Sequence, residues 1–457
     1  MTAHRLGHPY RLLWSAAVTS RFGDSVRTPA LALLAATLTR DPRAVAVVTV
    51  AGQLPSLLFG LLGGVYTDRW DRRRTMAVVD AARAALVAVL AVAVAVDRAG
   101  VAVLVAAAFL LATLGVLFDA AAYALLPALV TPAVLPTANG RLQAGTAVAA
   151  GFLGAPLAGV LFTVSAALPF AVDALTFAAA ALLVLALPAA APPPGDGNGR
   201  GWRGEPADGS RPGDTRAPHG GGPQDSPAPG SGQARGGRLH REALVGVAWL
   251  RGDPLMWRMA LLGGGANLAI SALMAVLVLY ALDVLRVPAA GYGLFLAGAV
   301  LGGLAGALAA GRLAARLGTV RALRVALLAQ SVALTVFALV RQPVVGGLAL
   351  AVFGAGGTVW NSLWAAYGQG RVPAGLLGRV GAAQRTVTLL TAPVGATVAG
   401  LAGAAYGVEP VVVAVAGAFA LVTLTAWRAL RPAAAVPAGA PPTAAGTPAR
   451  PGPLRSR

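Results

Sequence analysis

Twelve stretches of this sequence stay apolar for about 20 residues or more, the length at which an α-helix crosses the hydrocarbon core of a bilayer. They fall near residues 12–38, 44–66, 76–97, 101–130, 139–164, 167–187, 256–283, 290–312, 321–340, 344–370, 376–404 and 409–430. With 57% hydrophobic and 12% charged residues and a mean hydropathy of +0.71, the chain carries more apolar surface than one soluble core encloses. Residues 81–96 are apolar around the whole helix, without the alternation of a lipid-facing strand, which argues against a β-barrel. The expected fold class is therefore an all-α membrane protein of twelve transmembrane helices.

A net charge of +19 on a soluble chain would point to nucleic acid, but the placement of the charge points to a membrane. All 36 basic residues are arginine. With the N-terminus in the cytoplasm, only Arg40, Arg43, Arg98, Arg286 and Arg341 fall in outside loops, and Arg21, Arg27 and Arg83 lie within spans. Every other arginine then falls on the cytoplasmic side, as the positive-inside rule requires. Both termini and the central loop are thus expected in the cytoplasm of a multi-pass protein of the cell (inner or plasma) membrane. The partner of the basic surface is the lipid bilayer, with no nucleic acid. The first apolar segment is too long for a cleavable signal peptide and leads straight into further spans.

Several chemistries drop out at once. The chain has no cysteine, hence no disulfide or thiol chemistry. Its four histidines, His4, His8, His219 and His240, lie outside every span, and the i, i+4 pair His4 and His8 has no third ligand nearby, so no metal is expected. Without lysine there is no phosphate-binding loop of the usual kind, and neither ATP hydrolysis nor a cofactor is expected.

Residues 189–240 are rich in Gly, Pro, Asp and Arg and nearly empty of large apolar side chains, a composition that cannot offset the entropy of ordering. They divide the chain into an N-terminal six-helix half (1–188), a disordered cytoplasmic linker (189–240), a C-terminal six-helix half (241–431) and a disordered tail (432–457). A short interfacial helix is expected just before the seventh span. The halves look like copies. The loop GGVYTDRWDRRR from Gly63 to Arg74 is echoed by GRLAARLGTVR from Gly311 to Arg321, 247 residues after Gly64, and Pro373 follows Pro127 by 246.

These loops resemble the one between the second and third helices of the major facilitator superfamily, where Gly is followed after three residues by Asp, a basic residue and a turn glycine. Gly64, Asp68, Arg69, Arg72 and Arg74 fit that frame, with Asp71 at the turn position; Gly311, Arg316 and Gly318 fit it in the second half, with Ala315 replacing the Asp. The resemblance implies a conformational gate built from these residues and a binding site near the midplane between the halves. Finer landmarks resemble the enterobactin exporter and macrolide-efflux branch: SRFGD at 20–24, ALLPALV at 124–130, Asn139 and Gly140, DALTF at 173–177, and LGRV at 377–380. The fifth span adds Gly151, Gly154, Pro156 and Gly159, close to a stretch that exporters of this kind carry, and equally a recipe for close helix packing. The fourth span, unlike that of some drug exporters, holds no arginine.

Charges within a span are functional suspects. Arg21, Asp24 and Arg27 recur at three-residue spacing on one helix face, and Asp24 is the first candidate to bind a coupled proton, with a fixed ion pair to Arg21 or Arg27 as its structural alternative. Asp119 and Asp173 come second, the latter with a plain alternative as a polar residue at a helix end. Asn267, Asn361, Trp360, Trp364 and Tyr367, with Gln369, are candidates for a mostly apolar substrate cavity, although aromatic residues also anchor span ends. Gln384 and Arg385 are expected near a cytoplasmic gate. The expected function is secondary active transport, a proton-coupled monomeric exporter of a hydrophobic small molecule such as a macrolide-like drug or siderophore. An importer of the same fold and a non-transporting membrane sensor are the alternatives; no paired catalytic residues mark an enzyme.

Overall fold

The structure, a computed structural model, describes residues 7–59, 71–131, 134–149, 154–188, 245–373 and 376–430. The linker expected over 189–240 and the tail over 432–457 lie outside these residues, as do Gly64, Asp68 and Arg69. The helices are α1 (His8–Leu38), α2 (Pro42–Phe59), α3 (Arg72–Ala95), α4 (Val101–Leu129), α5 (Leu135–Val148), α6 (Ala155–Val164), α7 (Leu168–Leu185), α8 (Pro254–Leu279), α9 (Ala289–Leu317), α10 (Thr319–Leu339), α11 (Pro343–Arg371), α12 (Leu377–Tyr406) and α13 (Val408–Ala429). A π-helical turn over Tyr280–Val284 extends α8, and residues 245–252, just before it, are helical. α5 and α6 both fall within the expected fifth span, and a helix is described in each of the twelve expected spans.

Ten helices among the described residues are long and apolar enough by themselves to cross a membrane. α1 misses that standard through its own charges, although it runs for 31 residues. Caps set where spans begin. Asp71 accepts from the backbone N–H of Arg73 and Arg74 at 3.0 and 3.2 Å, and Asp253 from Leu255 and Met256 at 3.0 and 3.1 Å, which satisfies N–H groups that the first helical turn leaves unpaired. Gly318 joins α9 to α10 at φ +78°, a conformation only glycine adopts without strain.

Among the described residues the two halves share one buried cluster at one end and form separate clusters at the other. At the end away from the termini a single buried cluster takes residues from both halves, among them Leu33, Val45 and Phe170 with Val276, Tyr280 and Val412. Toward the termini the clusters separate: Leu13, Met76 and Leu126 belong to one, Leu323, Leu327 and Leu363 to another. Small residues make the seal. A Cβ on Gly293 of α9 would stand 1.7 Å from the Ala155 carbonyl oxygen of α6, and one on Gly400 of α12 would stand 2.4 Å from Cβ of Ala46 in α2. Arg40 and Asp283 add an ion pair across the same end, at 2.8 Å. Gly159 of the fifth span is a contact point of this kind, against the Ala289 and Ala290 carbonyls, whereas Gly154 packs on Ser25 within the N-terminal half.

Candidate functional site

The N-terminal half holds a chain of buried charges. The spacing on α1 does put Arg21, Asp24 and Arg27 together, but the member that organises them is Arg83 of α3. Its Nη2 lies 2.8 Å from both carboxylate oxygens of Asp24, and its Nη1 lies 3.3 Å from Asp80 and 3.1 Å from the hydroxyl of Ser20. The guanidinium also sits 4.0 Å from the ring centre of Phe177 on α7, a favourable place for a cation. Arg27 contacts Asp24 and, through Nε, Asp173 of α7 at 2.8 Å. The order is Asp80, Arg83, Asp24, Arg27, Asp173, alternating in sign and ending in a carboxylate on both sides.

Those two ends are the most enclosed members. Asp80 and Asp173 are each 0% exposed, and Asp80 Oδ2 and both Asp173 oxygens have no hydrogen-bond donor among the described residues. The Arg27–Asp173 contact is therefore one of charge rather than an aligned hydrogen bond. Asp173 is not the helix-end polar residue offered as its plain alternative: it faces the interior from the second turn of α7. Asp119 stands outside the chain, on α4, paired with Arg21; both are partly exposed. The fourth span holds no arginine of its own, but Arg83 of the third lies beside it: its Nη2 would stand 3.7 Å from a Cβ on Gly115 of α4. Sequence reasoning passed over Asp80 and counted Arg83 without assigning it a role. Their signal was an i, i+3 pair of opposite charges inside an apolar span.

The C-terminal half holds a cavity of about 380 Å³ between α8, α10, α11, α12 and α13, on the side nearer the termini. Asn267, Trp360, Asn361 and Trp364 line it, and so do Gln330, Gln384 and Arg385. Tyr367 stands behind the wall, stacked on Trp364 at 5.5 Å, and Trp364 is stacked on Trp360 at 5.7 Å with the rings 5° apart. Asn267 donates to the Thr388 carbonyl at 2.7 Å, which ties α8 to α12. The side chain of Gln369 lies outside the described set.

Around the gate motif, Arg74 is exposed and 3.8 Å from Asp71, Arg72 is engaged, and Gly311 and Arg316 lie on the surface. Arg73 turns inward to the carbonyls that end α7, Val184 at 3.3 Å and Leu185. Arg324 at the start of α10 does the same for Trp427 near the end of α13, at 2.9 Å. A cation at each helix C-terminus complements the dipole there.

Solved transporters share this architecture. The nucleoside transporter NupG superposes with a TM-score of 0.65 at 16% identity, over 93% of this chain and 100% of that one. A bacterial homologue of the iron transporter ferroportin, in an inward-facing state, gives 0.67 at 14%, over 93% and 100%. A bacterial homologue of the human lysosomal transporter Spinster, inward-facing and unoccupied, gives 0.67 at 12%, over 94% and 98%. At these identities the likeness is one of fold. No curated protein sequence matches. Residues 13–396 match the Major Facilitator Superfamily, and the chain belongs to that family of membrane transporters.

Proposed function

We propose that this transporter is a proton-coupled exporter of a hydrophobic small molecule, working as a monomer in the cell membrane with both termini in the cytoplasm. The observation that carries the coupling is the count of buried charge. Asp80, Asp24 and Asp173 face Arg83 and Arg27, and Arg21 stands 3.8 Å from Asp24 while pairing with the exposed Asp119, so that four carboxylates meet three arginines, a surplus of one. An uncompensated charge at this depth costs several kcal/mol. One bound proton removes it. The oxygens of Asp24 are committed to Arg83 and Arg27, whereas Asp80 and Asp173 have oxygens to which a proton adds without displacing a guanidinium. Asp24, the first candidate from sequence, becomes the hub of the chain, and its ends become the proton sites.

Export rests on the resemblance to the enterobactin and macrolide-efflux branch and on the glycines of the fifth span. The arginine distribution supports cytoplasmic termini, and with that orientation the cavity lies on the cytoplasmic side, as loading from the cytoplasm requires. Accumulation of labelled amphiphilic drugs into proteoliposomes under an imposed pH gradient tests both parts. Asp80→Asn or Asp173→Asn should lower gradient-driven accumulation by about tenfold or more, since an amide cannot ionise, while exchange of substrate without a gradient persists. Full gradient-driven accumulation in both variants would remove this cluster from coupling. Expression in a host without its own efflux pumps should raise tolerance to at least one such drug; faster uptake with unchanged tolerance would make the chain an importer.

A further inference from the structure

We infer that the cavity of the C-terminal half takes an amphiphilic organic anion with a planar aromatic ring. This rests on reading that cavity as the substrate site. Its only charged wall residue among those described is Arg385, which lies about two turns, or roughly 12 Å, into α12 from Leu377. Neither an ion pair nor a hydrogen bond engages Arg385 among the described residues. The other polar wall groups are Thr388 and the amides of Asn267, Gln330, Asn361 and Gln384, which orient a ligand without neutralising a cation. Asp119, exposed on the opposite half, is already engaged by Arg21.

Arg385 is exposed, so its lone guanidinium meets an anion at the solvent-open side of a largely apolar wall, and its planar fork suits a carboxylate or sulfonate better than a neutral acceptor. The second half of the ligand follows from the ring stack. Trp360 and Trp364 both line the cavity and are stacked 5° from parallel, and with Tyr367 stacked on Trp364 they form a rigid aromatic ladder along two turns of α11 whose inner ring faces are already covered. Such a ladder favours a planar ring set against its edges over a globular aliphatic body. A permanent cation is disfavoured by Arg385 even though the indoles would attract it.

Three matched probes test this: naphthalene-2-carboxylate, the neutral naphthalene-2-carboxamide and the cationic naphthalen-2-ylmethanamine. Binding of each, radiolabelled, to full-length protein in lipid nanodiscs is measured by scintillation proximity, with empty nanodiscs subtracted. The carboxylate should bind about tenfold tighter than the amide, a difference of 1.4 kcal/mol, and tighter still than the amine. Arg385→Gln should bring carboxylate and amide to within about twofold while leaving the amide unchanged, and Arg385→Lys should retain part of the preference. Trp364→Leu should weaken carboxylate and amide alike. The inference is overturned if the probes bind in a Trp364-dependent manner without preference for the anion, or if Arg385→Gln keeps that preference. Binding that is indifferent to Trp364→Leu overturns the cavity reading itself, and the inference with it.

Discussion

Arg83 serves two carboxylates at once, and that makes its removal costlier than the loss of either contact. In Arg83→Leu, Asp24 retains Arg27 while Asp80 is left 0% exposed with only Ser20 beside it. Breaking a buried pair by deleting one partner typically costs about 3–5 kcal/mol, chiefly through the charge left behind. Deleting Asp80 as well returns the cluster to its original surplus of one carboxylate. The double variant Arg83→Leu/Asp80→Leu should therefore recover about half or more of the stability lost in the single one, read as the midpoint of thermal unfolding in lipid nanodiscs. Equal midpoints for single and double variants would mean that charge balance does not hold this cluster together. The recovery should not extend to coupling, because one of the two proposed proton sites is gone.

At the scale of elements, the start of α8 carries a pH-sensitive contribution. Asp253 caps the helix and reaches Arg371, at the end of α11, at 2.6 Å. Burial opposes ionisation of its carboxyl, but the Arg371 hydrogen bond, the Met256 N–H, the Arg371 charge and the Leu255 N–H together outweigh it and hold the pKa below the ordinary aspartate value. A carboxylate whose pKa is lower in the folded state adds stability that is complete above its unfolded value, about 3.9, and is lost as pH falls through the folded one. Acidification from about pH 5 downward should thus lower the unfolding midpoint more in the wild type than in Asp253→Asn, where the cap survives and the titration does not. Parallel curves would assign Asp253 a capping role alone. The same residue shows what the sequence leaves hidden. Hydropathy located the described span boundaries to within a few residues, because length and apolarity are local properties, the expected end of the second near 66 lying outside the described residues; it placed the start of the seventh near 256 because polar caps such as Asp253 lie outside an apolar count. The triplet on α1 was legible from its three-residue spacing, and Asp80 with Arg83 was legible in the same way. What no local pattern conveys is that α3 and α7 bring Arg83 and Asp173 onto Asp24 and Arg27, across sequence separations that only packing joins. The aromatic ladder was visible as Trp360, Trp364 and Tyr367 at helical spacing, but whether it faced a cavity or a membrane interface depended on neighbours from other helices, Asn267, Gln330 and Gln384 among them.

The two six-helix halves of the molecule repeat one pattern of caps and clamps and differ in where their buried charge lies. Asp71 and Gly318, 247 residues apart, both cap the helix that follows the gate loop, and Arg73 and Arg324 both clamp the last helix of their half. At the same separation Arg83 is answered by the buried but neutral Gln330, so the charge chain has no counterpart where the cavity lies. Alternating access requires the two halves to part at the end where they now touch, and two kinds of contact hold that end. The exposed Arg40–Asp283 pair is worth no more than about 1 kcal/mol, and Arg40→Ala should shift the balance of states little. The backbone approach of α6 and α9 is the stronger determinant. A side chain on Gly293 meets the Ala155 carbonyl, part of a helix backbone that cannot give way as a flexible side chain would. Overpacking there costs about 1–3 kcal/mol, which shifts a balanced two-state equilibrium by about fivefold or more toward the state with this end open. Because the chain has no cysteine of its own, Val164→Cys and Val344→Cys, one exposed residue from each half near this end, can carry a unique pair of spin labels. In Gly293→Val the measured distance distribution should gain weight at longer separations and lose it at the shorter one, while Arg40→Ala leaves it close to wild type. A folded Gly293→Val protein with an unchanged distribution would show that α6 and α9 stay joined in every state, and that the moving boundary between the halves lies elsewhere.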